Sequence, residues 1–175
     1  GFKYVYRTED GNLIFSKELP RSRNEYKEII ELEKFEKSFV EIGEHEESGV
    51  ILGYGTINLR PVCLFAQDSS INSGAITEKN CEKICKAIDM AEKNGIPIIG
   101  IYDSIGTKIS ESTGVLIGIR KVLSKLSNVS GVVPILSIVL GNAVGIASFA
   151  VNFSDFVFMI DKKSKLFVNG PQSIT

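Results

Sequence analysis

The chain has a single histidine, three cysteines and no apolar run long enough to cross a bilayer. The longest such run, Val132 to Leu140, is about half of what a membrane helix needs, and β-branched residues dominate it. A net charge of −1 leaves no clustered basic face of the kind nucleic acid requires. No basic-plus-apolar signal is visible at the start, where Gly1 leaves the natural N-terminus open. The cysteines Cys63, Cys81 and Cys85 are odd in number, and the last two share one helix face at i, i+4 spacing. That spacing is a poor match to a zinc knuckle, so buried free thiols in a reducing cytoplasm are expected, with no metal site. His45 stands in the run Glu44-His45-Glu46-Glu47, which reads as a solvated charge run.

What is present is enough for one ordinary core: 175 residues, 43% of them hydrophobic. Composition changes near residue 49, which suggests a charged N-terminal segment over 1–48 with one helix, and a core over 49–175. In the segment, Ser22-Arg23-Asn24-Glu25 reads as a capping box, with Tyr26, Ile29, Ile30 and Glu33 along one stripe. From Val50 to Gln67 the pattern is strand, turn, strand, with Asn58 and Pro61 supplying turn chemistry. A helix follows with Cys81, Ile84, Cys85, Ile88 and Ala91 inward, and Asn94-Gly95 ends it before Pro97. Next come a strand over 98–103, a helix capped by Ser110 or Ser112, and a strand over 133–140. A short helix from about Val144 precedes strands over 155–160 and 165–168. Hairpin pairs alternating with helices indicate an α/β fold of ββα units.

Two strand ends run into glycine-bearing loops: Asp103-Ser104-Ile105-Gly106-Thr107-Lys108, and Gly141-Asn142-Ala143-Val144-Gly145-Ile146-Ala147. Such loops can aim backbone N–H groups at one point and hold an oxyanion without side-chain chemistry. In the second, Gly145 leads into a helix start, where N–H groups and the macrodipole favour an anionic oxygen. The plainer alternative is a pair of tight connections in which Asp103 and Ser104 satisfy loop amides. Other motifs fail: Gly100 to Gly106 spells no dinucleotide loop, and no phosphate-cradling Gly-Lys-Ser sequence occurs. Ser148 lies near a helix start as the nucleophile does in Clp-type peptidases, but the sole histidine is upstream. Ser148 therefore reads as a small helix-packing residue.

From Ser38-Phe39-Val40-Glu41-Ile42-Gly43 onward the chain resembles a known family. The matching segments include Gly55-Thr56-Ile57-Asn58-Leu59-Arg60-Pro61-Val62, Phe65-Ala66-Gln67-Asp68, Lys83 to Asp89, Ile98 to Glu111, and Phe156 to Met159 with Leu166 to Pro171. Together they resemble the N-terminal half of the carboxyltransferase subunit of biotin-dependent acyl-CoA carboxylases, of the propionyl-CoA and acetyl-CoA type. The resemblance implies a crotonase-like (ClpP/crotonase) spiral of ββα units. It also implies an acyl-CoA substrate, biotin on a partner carrier domain, and transfer of a carboxyl group between them through a backbone-stabilised thioester enolate. It places the catalytic oxyanion donors at the backbone of Ile105 and Gly106. Coenzyme A is placed along Ser73, Gly74 and Ala75 and along Gly141, Gly145 and Ile146. The expected partners are a biotin carboxyl carrier domain, a C-terminal carboxyltransferase half and further copies of the chain, with no nucleic acid and no membrane span. The half alone is expected to be inactive and to self-associate.

Three departures from the family's usual pattern stand out. Asp-Ser-Gly-Gly-Ala-Arg is replaced by Asp103-Ser104-Ile105-Gly106-Thr107-Lys108, Gly-Gly-Ser by Ser73-Gly74-Ala75, and Ala-Gly-Gly by Val144-Gly145-Ile146. An N–H survives each replacement, but an added Cβ restricts φ and occupies space. A decarboxylase branch of the family carries a Gly-x-Lys arrangement like Gly106-Thr107-Lys108. Nothing here supplies the four-cysteine zinc ribbon of the bacterial acetyl-CoA carboxylase β subunit, so the propionyl/methylmalonyl type or the decarboxylase branch is the nearer analogue. The alternatives are a biotin-dependent acyl-CoA decarboxylase subunit and a catalytically degenerate crotonase-fold scaffold. A crotonase-like hydratase or hydrolase would need a carboxylate pair, for which only Asp103 and Glu111 lie near the first loop.

Overall fold

The computed structural model describes residues 4–7, 13–16, 28–31, 38–43, 48–107 and 113–169. The chain divides into two compact units, one of Gly1–Val40 with Tyr54–Pro61 and one of Glu41–Gly53 with Val62–Thr175. The first holds an antiparallel sheet of β1 (Tyr4–Arg7), β2 (Leu13–Ser16) and β3 (Glu28–Glu31), in the order β2-β1-β3. Residues 28–31 are therefore strand and not the helix their capping-box context suggests. Val5 pairs Ile30 and Tyr6 pairs Ile29, so ladder bonding to β1 overrides a weak helical stripe that contains two β-branched residues. The capping-box residues, Tyr26, Glu33 and the charge run 44–47 lie outside the described residues.

The larger sheet contains β4 (Val40–Glu41), β5 (Val50–Ile57), β6 (Arg60–Gln67), β7 (Ile98–Ser104), β8 (Ile135–Val144), β9 (Phe156–Met159) and β10 (Lys165–Phe167). Its order is β10-β8-β7-β6-β5-β4, and β9 also pairs β8. The β5–β6 turn is Asn58-Leu59, both left-handed at φ 50 and 64, the two-residue type whose twist matches the strands. Pro61 belongs to β6 and takes no part in that turn.

Helix α1 (Glu78–Asn94) crosses from β6 to β7, and α2 (Thr113–Val129) crosses from β7 to β8. Thr77 and Asn80 close a capping box at the start of α1, each backbone N–H donating to the other's side chain at 3.2 Å. Gly95 ends the helix in the left-handed conformation, at φ 62. Ile84, Ile88 and Ala91 of α1, with Val122 and Leu126 of α2, bury against Phe65, Ile98, Ile135 and Val139 of the sheet. Each large apolar side chain buried in this way contributes about 1.5–3 kcal/mol. The three cysteines are buried free thiols, and Cys63 donates to the carbonyl of Ala87 at 3.4 Å.

Beyond β8 the structure departs from a hairpin. β9 lies parallel to Leu136–Val139 of β8, and β10 lies parallel to Asn142–Val144. The last two strands thus dock separately on one long strand. A short helix, α3 (Ile146–Val151), links β8 to β9. No helix among the described residues is long and apolar enough to cross a membrane.

Candidate active site

β6, β7 and β8 are mutually parallel, so Gln67, Ser104 and Val144 end on the same edge of the sheet. In open parallel sheets that edge is where ligands bind. Three backbone segments converge there around Asp103.

The first relationship is a register shift. Tyr102 pairs Val139 and Ser104 pairs Ala143, so β8 spends four residues where β7 spends two. Asp103 lies opposite the surplus, and its Oδ1 accepts the N–H of Asn142 at 3.0 Å. The carboxylate replaces the ladder partner that the bulge removes. A Cβ on Gly141 would stand 2.2 Å from the same oxygen, so no larger residue fits without displacing it. The strand expected to stop at Leu140 therefore continues to Val144, because Asp103 carries it past Gly141.

The second segment is the turn Asn72–Gly74, with three successive left-handed residues at φ 50, 55 and 68. A Cβ on Gly74 would lie 1.9 Å from the carbonyl oxygen of Asp103. The left-handed conformation, which Asn72 tolerates, costs Ser73 about 1–2 kcal/mol, strain of the kind that clusters at functional sites. The chain then runs beside the first loop: Ile76 donates to the carbonyl of Gly106 at 2.8 Å and bridges Thr107 in parallel.

In the first loop Gly106 has φ 96 and donates its N–H to Ser104 Oγ at 3.1 Å. Both residues are buried, while the side chain of Ile105 between them is 56% exposed. Ile105 is not left-handed, so replacing a glycine there adds no backbone strain. In the second loop Gly145 has φ 60 and ψ −120, and its N–H donates to the carbonyl of Phe167 at 3.1 Å. Its carbonyl accepts the hydroxyl of Ser148 at 2.6 Å, which ties that buried serine into the start of α3. Ile146 packs against the core.

Of the residues singled out in the sequence, Gly74, Ile105, Gly106, Gly141 and Gly145 thus lie in the segments grouped around the ends of β7 and β8, and Ser73, Ala75 and Ile146 adjoin them. Lys108, Ser110, Glu111 and Ser112 lie outside the described residues. Asn142 and Gln67 stand in segments quoted from the sequence but were given no role, and Ile76 was not singled out. Only the register of distant strands brings them to this edge. Burial pushes the Tyr102 phenol far above its ordinary range, against the lowering influence of its hydrogen bond with Ser137, and leaves it neutral. Among the described residues no cluster of three His, Cys, Asp or Glu side chains could hold a metal.

The carboxyl transferase domain family matches residues 22–175. The methylmalonyl-CoA decarboxylase subunit alpha of Propionigenium modestum is 42% identical over 125 residues, which are 71% of this chain and 24% of that protein. The propionyl-CoA carboxylase beta chain of Roseobacter denitrificans is also 42% identical, over 72% of this chain and 25% of its own length. The chain spans about a quarter of the length of these relatives. A solved transcarboxylase 12S, with hydrolysed methylmalonyl-coenzyme A bound, superposes with a TM-score of 0.75 at 33% identity, covering 78% of this chain and 29% of that one. The fold is that of the crotonase-like carboxyltransferases, and the chain belongs to the carboxyl transferase domain family.

Proposed function

We propose that this chain is the acyl-CoA-binding N-terminal half of a biotin-dependent carboxyltransferase, acting between carboxybiotin and an acyl-CoA. The observation that carries the reading is the convergence of three backbone segments on Asp103 at the carboxyl ends of parallel strands. Gly106 supports it most directly. Its N–H is held by a neutral hydroxyl rather than by a ladder carbonyl. A thioester oxygen becoming an enolate can take over such a donor, because hydrogen bonds to charged acceptors are about twice as strong as neutral ones. Ile105 would present its N–H to the same oxygen. Gly145 has the different task of turning the chain into α3, since its own N–H is committed to Phe167.

The donors expected for the reaction are backbone groups, which fits the described residues of the site, where no histidine or cysteine faces the loops. Biotin would bring the carboxyl group and, once free of it, take the α-proton of the acyl group. This chain's share is to hold the thioester along Ser73 to Ala75 and Gly141 to Ile146 and to stabilise the developing charge. A C-terminal half, a biotin carrier domain and further copies of the chain would complete the assembly, in a reducing cytoplasm where Cys63, Cys81 and Cys85 stay free. A decarboxylase direction is a second reading, supported by the 42% identity to a methylmalonyl-CoA decarboxylase subunit.

Calorimetric titration of the full-length protein with acetyl-, propionyl- and malonyl-CoA tests the binding role. Saturable heat with at least one is expected. Silence with all three, on folded protein, would reject the proposal in favour of a scaffold.

A further inference from the structure

The segments proposed to hold the thioester, residues 73–75 and 141–146, contain no cationic side chain. Coenzyme A also carries a diphosphate and a phosphate monoester, and such groups draw on Lys or Arg for charge-assisted bonds. The cations must therefore come from a neighbouring element.

The turn between β9 and β10 supplies them. Met159 pairs Val139 and Lys165 pairs Asn142, so residues 160–164 loop out opposite Leu140 and Gly141 of β8. Asn142 is the residue whose N–H Asp103 accepts. Lys162, Lys163 and Lys165 are all exposed, with Asp161 the one acid among them. None of the three lysines forms an ion pair among the described residues. Ser164 locks the turn to the strand: its hydroxyl accepts the N–H of Ile160 at 2.9 Å and donates to the carbonyl of Val139. The N–H groups of Lys163 and Ser164 both donate to the carbonyl of Ile160, at 3.2 and 2.9 Å. Lys162 is left-handed at φ 58, a conformation unfavourable to lysine. The backbone under the lysines is thus fixed, while each ammonium group stays free on its flexible stem.

We infer that this turn is the anion-binding edge of the acyl-CoA site, with Lys162, Lys163 and Lys165 pairing with the coenzyme's phosphates. The inference rests on the proposed acyl-CoA reading and names the charges that reading lacks. Exposed pairs of this kind weaken as salt rises. Calorimetry on the full-length protein compares propionyl-CoA with propionyl-pantetheine, which keeps the thioester and lacks every phosphate. The variant is Lys162→Asn with Lys163→Gln and Lys165→Gln, since Asn tolerates the left-handed position. It is expected to bind propionyl-CoA about tenfold more weakly than wild type, with a shallower salt dependence. Its affinity for propionyl-pantetheine is expected to match that of wild type. Equal affinity of the two proteins for propionyl-CoA overturns the inference, and so does an equal loss with propionyl-pantetheine. Wild-type silence with acetyl-, propionyl- and malonyl-CoA rejects the proposed function and this inference with it, a result read before any variant is compared.

Discussion

Gly141 and Asp103 are complementary: the carboxylate of Asp103 occupies the space where any side chain at position 141 would begin, 2.2 Å from Oδ1. Because the same oxygen accepts the N–H of Asn142, the pair fixes how far β8 runs past β7. Gly141→Ala should cost about 1–3 kcal/mol in chemical denaturation. The proposed platform would shift with it, weakening acyl-CoA binding by about tenfold or more in calorimetry. Asp103→Ala in the same background should recover part of the stability loss, since contacting residues couple by about 0.5–3 kcal/mol. Strict additivity would show that the two do not meet.

Asp103 on its own separates geometry from charge. Asn in its place keeps an oxygen for Asn142, whereas Ala leaves that N–H without its acceptor. Asp103→Asn should therefore stay within about 1 kcal/mol of wild type, and Asp103→Ala should lose about 1–3 kcal/mol. Equal losses in urea titrations would mean that the negative charge, not the acceptor, matters.

Two left-handed glycines offer an internal control. Gly95, at φ 62, has open space where a Cβ would go, so Gly95→Ala meets conformational cost alone, about 1 kcal/mol. Gly74, at φ 68, would drive its Cβ to 1.9 Å from the Asp103 carbonyl, and its loss should be at least ~2–3 kcal/mol larger. Thermal melts of the two variants side by side decide this, and equal shifts would contradict the packing described.

Cys63 sets a limit at alkaline pH. Burial pushes its thiol from 9.0 up to about 11, only partly opposed by a backbone hydrogen bond from Leu64. The unfolded chain therefore releases this proton first. The contribution is fully present below pH 9 and declines as pH rises towards 11. Urea midpoints measured across that window should fall, and Cys63→Ala should flatten the fall relative to its own baseline. An unchanged slope would show that other groups govern it.

Much of the scaffold was legible from local pattern. The stripe Cys81, Ile84, Ile88 and Ala91 with the Asn94-Gly95 stop marks α1 and its end, and β5 and β6 lie where the strand-turn-strand pattern puts them. What escaped reading depends on distant partners. Residues 28–31 are strand only because β1 lies beside them. β8 outlasts Leu140 only because Asp103 supports Asn142 across the bulge. The plainer reading of the first loop, with Asp103 and Ser104 satisfying backbone amides, describes the observed contacts. It is compatible with the proposed site, since the Ser104 contact holds Gly106 and the Asp103 contact holds Asn142. Of the three replaced glycines, Ser73 accepts left-handed strain, Ile105 points outward and Ile146 packs inward. None of these outcomes follows from composition.

The central claim is that this platform supports carboxyl transfer without a side-chain base. The direct measurement is transfer of labelled carboxyl from carboxybiotin to propionyl-CoA, or from methylmalonyl-CoA to biotin, by the full-length protein with its natural partners. The account predicts transfer that falls at least about a hundredfold in Gly141→Ala, where roughly 3 kcal/mol of transition-state stabilisation is disturbed. Absence of transfer in either direction, by folded protein that binds the acyl-CoA, would contradict it.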